Sequence, residues 1–117
     1  MSADPTVSNP DQYRTVFEND RVRVLEYLDQ PGTVTTPHGH PDSVMITLSS
    51  FRRRLYAGGR EVDVELESGL PRWLDAQEHS GHNIGDTETH VIFVELKEPR
   101  LPSATVAAPP RLGPVES

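Results

Sequence analysis

Polar and apolar positions in this chain alternate with a period of two along short runs, and turn residues interrupt the runs about every eight to twelve positions. Such alternation turns one side of a strand to a core and the other to solvent. Arg14–Phe17 and Arg21–Leu28 read as strands joined by a hairpin turn at Glu18–Asp20. Asp29-Gln-Pro-Gly32 is a second turn. Thr33–Pro37 is rich in β-branched residues, and Pro37 and Pro41 forbid a helix between them. Ser43–Leu48 predicts a strand with Val44, Ile46 and Leu48 on one face, expected to be the inner one. Turns at Ala57–Arg60 and Glu67–Gly69 lead into Glu61–Leu66 and Pro71–Leu74, and Thr89–Leu96 is the last run. No amphipathic helix pattern is present. Seven or eight short strands with regular turns predict an all-β sandwich or barrel. Alternation is imperfect at Val24-Leu25 and at Val91–Val94, which predicts strands buried on both faces, for instance against a second subunit in a homodimer.

Composition narrows this picture. The chain has 117 residues, enough for one domain with a modest core. Both ends read as tails: a flexible segment over 1–10, and a Pro-rich stretch over 99–117 that holds five of the eleven prolines. The β domain is expected over 11–98. Hydrophobic residues make up 34% and mean hydropathy is −0.54, with no apolar run of membrane-spanning length. The first ten residues lack the basic and apolar blocks of a signal peptide, so a cytoplasmic location is expected. The absence of Cys excludes disulfides and thiolate metal sites. A net charge of −7 argues against nucleic acid as a partner. Against that acidic balance stands Arg52-Arg53-Arg54, either a solvated strand surface or a source of one inward guanidinium that holds a carboxylate.

The stretch Gly32-Thr-Val-Thr-Thr-Pro-His38-Gly-His40 carries the most chemistry. On a strand, His38 and His40 share a face, and two neutral imidazoles on one face are half of a metal site. His-x-His alone is often two exposed or core histidines. A further candidate, His79, follows in Ala76-Gln-Glu-His79-Ser-Gly-His82-Asn83.

These residues resemble the motifs of the cupin superfamily, in particular its small single-domain bacterial members, over roughly residues 14 to 97. The first motif of that family runs Gly, five residues, His-x-His, three or four residues, Glu. Gly32, His38 and His40 match in type and spacing, while the Glu position falls on Val44 or Met45 and the closing Gly is absent near Ser50 and Phe51. In the second motif, His79 and Asn83 keep the spacing of His and Asn and Gly69 opens the segment, but Leu74 and Ala76 stand where the family has Pro and Gly. The resemblance implies a jelly-roll β-barrel with His38, His40 and His79 as metal ligands. It implies a divalent transition metal, with Fe(II) favoured and Zn, Ni, Mn or Cu as alternatives.

Around that centre, His82 is the candidate catalytic acid or base, with a fourth ligand or a loop residue as its other readings. His90 reads as structural. Arg53, Tyr27 and Gln77 are candidates for substrate contact, Tyr56 and Trp73 for the barrel mouth, and Gln77 and Asn83 either orient a ligand or hydrogen-bond an imidazole. Two function classes follow. One is a metal-dependent enzyme acting on a small carboxylate or oxygen-rich molecule, with dioxygenase chemistry leading and metal-assisted isomerisation as a variant. The other is a non-catalytic module that binds a small molecule or a structural metal.

Overall fold

A computed structural model describes residues 3–98 and 112–114. Residues 99–111 and 115–117, which make up most of the expected Pro-rich tail, lie outside the described residues. After a single helical turn, α1 (Pro5–Ser8), come nine strands: β1 (Tyr13–Glu18), β2 (Val22–Asp29), β3 (His38–His40), β4 (Ser43–Thr47), β5 (Phe51–Ala57), β6 (Arg60–Leu66), β7 (Pro71–Leu74), β8 (Gln77–Asn83) and β9 (Thr89–Leu96). They form two antiparallel sheets, one in the order β1-β2-β9-β4-β7 and one in the order β3-β8-β5-β6. The all-β architecture expected from the turn spacing is observed, in the jelly-roll form that the resemblance implied.

Local chemistry explains most boundaries. The β1–β2 hairpin closes on Asn19, whose side-chain oxygen accepts from the N–H groups of Arg21 and Val22 at 2.8 and 2.9 Å. Register shifts between Thr15 and Phe17, so Val16 and Phe17 both stay exposed. The turn after β2 needs the left-handed backbone of Gly32, at φ +89°. Residues 33–37, read above as β-branched and extended, make only a bridge from Val34 to His82. Regular pairing begins at His38 and stops before Pro41, whose missing N–H ends the ladder.

One expectation needs correcting in β4. Ser43, Met45 and Thr47 are the buried set, while Val44 and Ile46 are half-buried and Leu48 is exposed. The inner face is therefore the opposite one from the Val44, Ile46 and Leu48 row. An apolar outer row misleads here because the outer surface of this sheet is itself apolar: Ile92 and Val94 of β9 pair across from Ile46 and Val44.

Tyr13, Leu25, Tyr27, Met45, Phe51, Leu66, Leu74, Val91 and Phe93 form the core between the sheets. Leu25 and Leu74 are fully enclosed, and truncating such a residue to Ala costs about 2–5 kcal/mol. Residues 3–10 touch the body at defined points. Asn9 is buried and its Oδ1 accepts from the Thr36 N–H at 2.9 Å, and Asp4 pairs with Arg23 at 2.8 Å. Among the described residues no helix is long and apolar enough to cross a membrane.

Candidate metal centre

Strand geometry assembles the three histidines. His38 and His40 sit at alternate positions of β3 and point inward. His79 lies directly across from His38 in the β3–β8 ladder, so its ring falls beside theirs. Ring centroids are 5.0 Å apart for His38–His40 and 5.1 Å for each pair with His79. One nitrogen of each ring lies within 4.8 Å of the other two.

Hydrogen bonds at the far side of each ring set its tautomer. His38 Nδ1 donates to the Thr36 carbonyl at 2.7 Å. His40 Nδ1 donates to Glu95 Oε2 at 3.1 Å. His79 Nδ1 donates to Gln77 Oε1 at 2.8 Å, and the same oxygen accepts the Gly113 N–H at 3.0 Å. A carbonyl and a carboxylate only accept, so each Nδ1 carries the proton and each Nε2 presents a bare lone pair. Such hydrogen bonds also orient metal-binding imidazoles and raise their basicity.

Burial reinforces the neutral state. It pushes His38 below the usual imidazole range, His40 down to about 3, and His79 well below its ordinary value, with mutual repulsion adding to the last two. Three neutral, inward lone pairs with proton-bearing far sides are the donor set of a divalent transition metal. The residues present fit that group.

A cavity of about 50 Å³ opens on His38 and His79, room for roughly three or four waters. His38, His79, Tyr13, Tyr27 and Arg53 give it a polar side, and Met45, Leu74, Val91 and Phe93 contribute to an apolar one. Arg53 is the inward member of the arginine run: it is buried, Arg52 is exposed, and Arg54 pairs outside with Asp63 at 2.7 Å. Its NH1 reaches Asp29 Oδ2 at 2.5 Å and Thr89 Oγ1 at 3.1 Å, and NH2 reaches the Tyr27 hydroxyl at 3.1 Å. Tyr27 in turn donates to Asp29. A Cβ on Gly81 would stand 2.8 Å from Arg53 NH2, so a glycine there makes the space for the guanidinium.

The other sequence-derived candidates fall in different places. His82 does not join the site. It stands an odd number of residues from His79, so the alternation of β8 turns it to the outer face, where it bridges to Val34. Gln77 orients His79, and the same side-chain oxygen accepts the Gly113 N–H. Asn83 holds Asp29 at 3.0 Å and the Thr87 carbonyl at 2.9 Å. His90 pairs with Glu26 at 2.7 Å, away from the triad. Trp73 donates to Asp75 at 2.8 Å on the outer side of β7, and Tyr56 borders a shallow depression beyond His79.

Two participants had no place in the motif reading. Glu95 is buried, anchors His40, and is itself held by Arg23 at 2.9 Å. Its signal was the alternation Val91, Phe93, Glu95, which puts a charge on a buried face. Tyr13 is 5% exposed, and its hydroxyl lies 3.1 Å from His38 Nε2 and 3.2 Å from His40 Nε2. Its position before the first predicted strand gave no hint of this.

No family model matches the sequence, and neither does any curated protein. Solved structures do match. A cupin domain from Bordetella pertussis Tohama I aligns with TM-score 0.68 and 27% identity, over 74% of this chain and 92% of that one. A conserved protein with a double-stranded β-helix domain from Klebsiella pneumoniae aligns at 0.57 and 19%, over 73% and 76%. A predicted oxalate decarboxylase from Thermotoga maritima aligns at 0.51 and 16%, over 72% and 78%. Two facing antiparallel sheets in this strand order, as in these neighbours, place the fold in the double-stranded β-helix class. Within that class, the chain is similar to small proteins of the cupin superfamily.

Proposed function

We propose that the protein is a metal-dependent enzyme acting on a small carboxylate or diketone-like molecule, with Fe(II) dioxygenase chemistry as its leading form. The observation that carries this reading is the gathering of three histidine ligand atoms within 4.8 Å of one another, each ring fixed by a partner at Nδ1, with His38 and His79 lining a cavity. A divalent ion held there by His38, His40 and His79 would supply Lewis acidity and a place for a ligand and O₂.

The chain's own residues then do the following. Asp29, Tyr27 and Thr89 hold the Arg53 guanidinium rigidly at the cavity wall, where it would grip the acid end of a ligand. Met45, Leu74, Val91 and Phe93 exclude water and accommodate an apolar body. The cavity's size restricts the ligand to a few heavy atoms beyond what displaced water allows.

Oxygen consumption tests the proposal. Fe(II)-loaded protein should take up O₂ only when a chelating small acid or diketone is present. Arg53→Ala should weaken ligand binding while leaving metal content unchanged; a charge-assisted hydrogen bond is worth about 1.5–3 kcal/mol, so the loss should be at least several-fold. Silence across a panel of carboxylates, diketones and thiols with the Fe, Mn, Ni and Cu forms would refute the enzyme reading. The second reading, a binding module without turnover, draws on the outward placement of His82, which leaves no proton-transferring histidine beside the triad.

A further inference from the structure

The phenolic oxygen of Tyr13 stands between two of the three histidines, 3.1 Å from His38 Nε2 and 3.2 Å from His40 Nε2. Both of those nitrogens are bare, because their rings carry the proton at Nδ1. A hydroxyl has one proton and can donate to only one of them. The other contact sets an oxygen lone pair against a nitrogen lone pair, which is repulsive unless a cation lies between. Neighbouring donor atoms around one four- to six-coordinate ion stand about 2.8–3.4 Å apart when each bond is about 2.0–2.1 Å. The two Tyr13 distances fall in that range.

We propose that Tyr13 is the fourth protein donor to the ion held by His38, His40 and His79, through its phenolic oxygen; the inference rests on the metal reading above. The position is built rather than incidental. Tyr13 opens β1 in the five-stranded sheet, opposite Tyr27 in register, and reaches across to the histidines of the other sheet. Its ring packs against Tyr27 at 4.6 Å and Phe93 at 6.0 Å, which prevents the phenol from swinging away. The residue on the inner face of β4 at the Glu position of the first motif is Met45, a poor donor to a hard divalent ion. Tyr13 brings an oxygen to the centre from a different strand.

The test compares wild type, Tyr13→Phe and Tyr27→Phe after loading with Fe(III) or Cu(II), reading elemental stoichiometry, chelator-competition affinity and visible absorption. Wild type should show a phenolate-to-metal charge-transfer band, its proton having passed to solvent on coordination. Tyr27→Phe should keep the band. Tyr13→Phe should still bind metal through the three histidines, lose the band and weaken affinity on the order of tenfold or more. A wild-type protein with one ion per chain and no such band overturns the inference while leaving the histidine site intact, and it does so even if Tyr13→Phe fails to fold. Retention of the band in Tyr13→Phe overturns it equally. Wild type that takes up no metal at all, and gains none over His38→Ala, overturns both this inference and the metal reading beneath it.

Discussion

Glu95 Oε2 accepts the Nδ1 proton of His40 at 3.1 Å from a strand in the opposite sheet, and Arg23 holds the other carboxylate oxygen at 3.0 Å. The carboxylate thus meets the centre one bond removed, behind an imidazole. Burial raises the Glu95 pKa even though Arg23 opposes that shift. Glu95→Ala should release the His40 ring and lower metal affinity by roughly 10–100-fold, with a smaller loss for Glu95→Gln, which keeps an acceptor. Competition against a chromophoric chelator measures this, and unchanged affinity in Glu95→Ala would show that the ring needs no such anchor.

Placing a carboxylate at the inner position of β4 should strengthen the site. Met45→Glu is expected to tighten metal binding and to destabilise the metal-free protein, since a buried unpaired carboxyl is costly. Val44→Glu, on the outer face beside Trp73, should change neither. Thermal midpoints with and without metal decide between them. A metal-dependent gain in Val44→Glu rather than Met45→Glu would contradict the strand's orientation.

Acid should destabilise the metal-free protein early. His38, His40 and His79 have folded-state pKa values below their unfolded value of about 6.5, His40 down to about 3. Between those limits the unfolded chain binds more protons, so stability falls as pH drops from about 6.5 towards 3. His40 contributes up to about 1.4 kcal/mol per pH unit in that window, and His38 and His79 act in the same direction. Glu95, with its raised pKa, acts in the opposite direction around its own titration and softens the slope. Urea titrations at pH 7 and pH 4.5 should show the loss, and equal midpoints would mean that the rings are protonated in the fold. Because the rings stay neutral below the ordinary imidazole range, metal binding should also persist to lower pH than free imidazole would allow.

The segment at 112–114 closes the cavity. Gly113 is buried and its N–H bonds the oxygen that holds His79, while Pro114 lines the cavity wall. A chain ending at Arg111 should keep its fold, lose a few degrees of thermal midpoint, about what ~1 kcal/mol gives in a domain of this size, and exchange metal faster. Gly113→Val should do the same without shortening the chain, because its backbone has φ +83° and a Cβ would stand 3.1 Å from Leu55. Unaltered exchange in both variants would separate this segment from the centre.

How much of this was legible in the chain depends on the kind of signal. His38 and His40 were readable because a strand's period of two is strict, and His79 because motif spacing carried it. Arg53 was readable only as one of three, since which member turns inward depends on register. The inner face of β4 was misread because an apolar outer row is as hydrophobic as the core row, and a one-residue change of phase exchanges them. His82 was misplaced by the same arithmetic: its separation from His79 is odd. Tyr13 and Glu95 act between sheets: the alternation Val91, Phe93, Glu95 puts a charge on a buried face but names no partner, and nothing in the local sequence of Tyr13 announces the histidines, whereas Gln77 holds His79 from two positions away on the same strand.

The three ring anchors differ in one respect that bears on how this centre can vary. His38 leans on a main-chain carbonyl, which every residue type at position 36 would still provide. His40 and His79 lean on side chains, Glu95 and Gln77, which a single codon can exchange for a neutral, charged or shorter group. Electron donation from two of the three imidazoles is therefore adjustable without touching a ligand, while the third stays constant. A series at positions 95 and 77 would act as a pair of independent dials on the potential and ligand preference of whatever ion the centre holds.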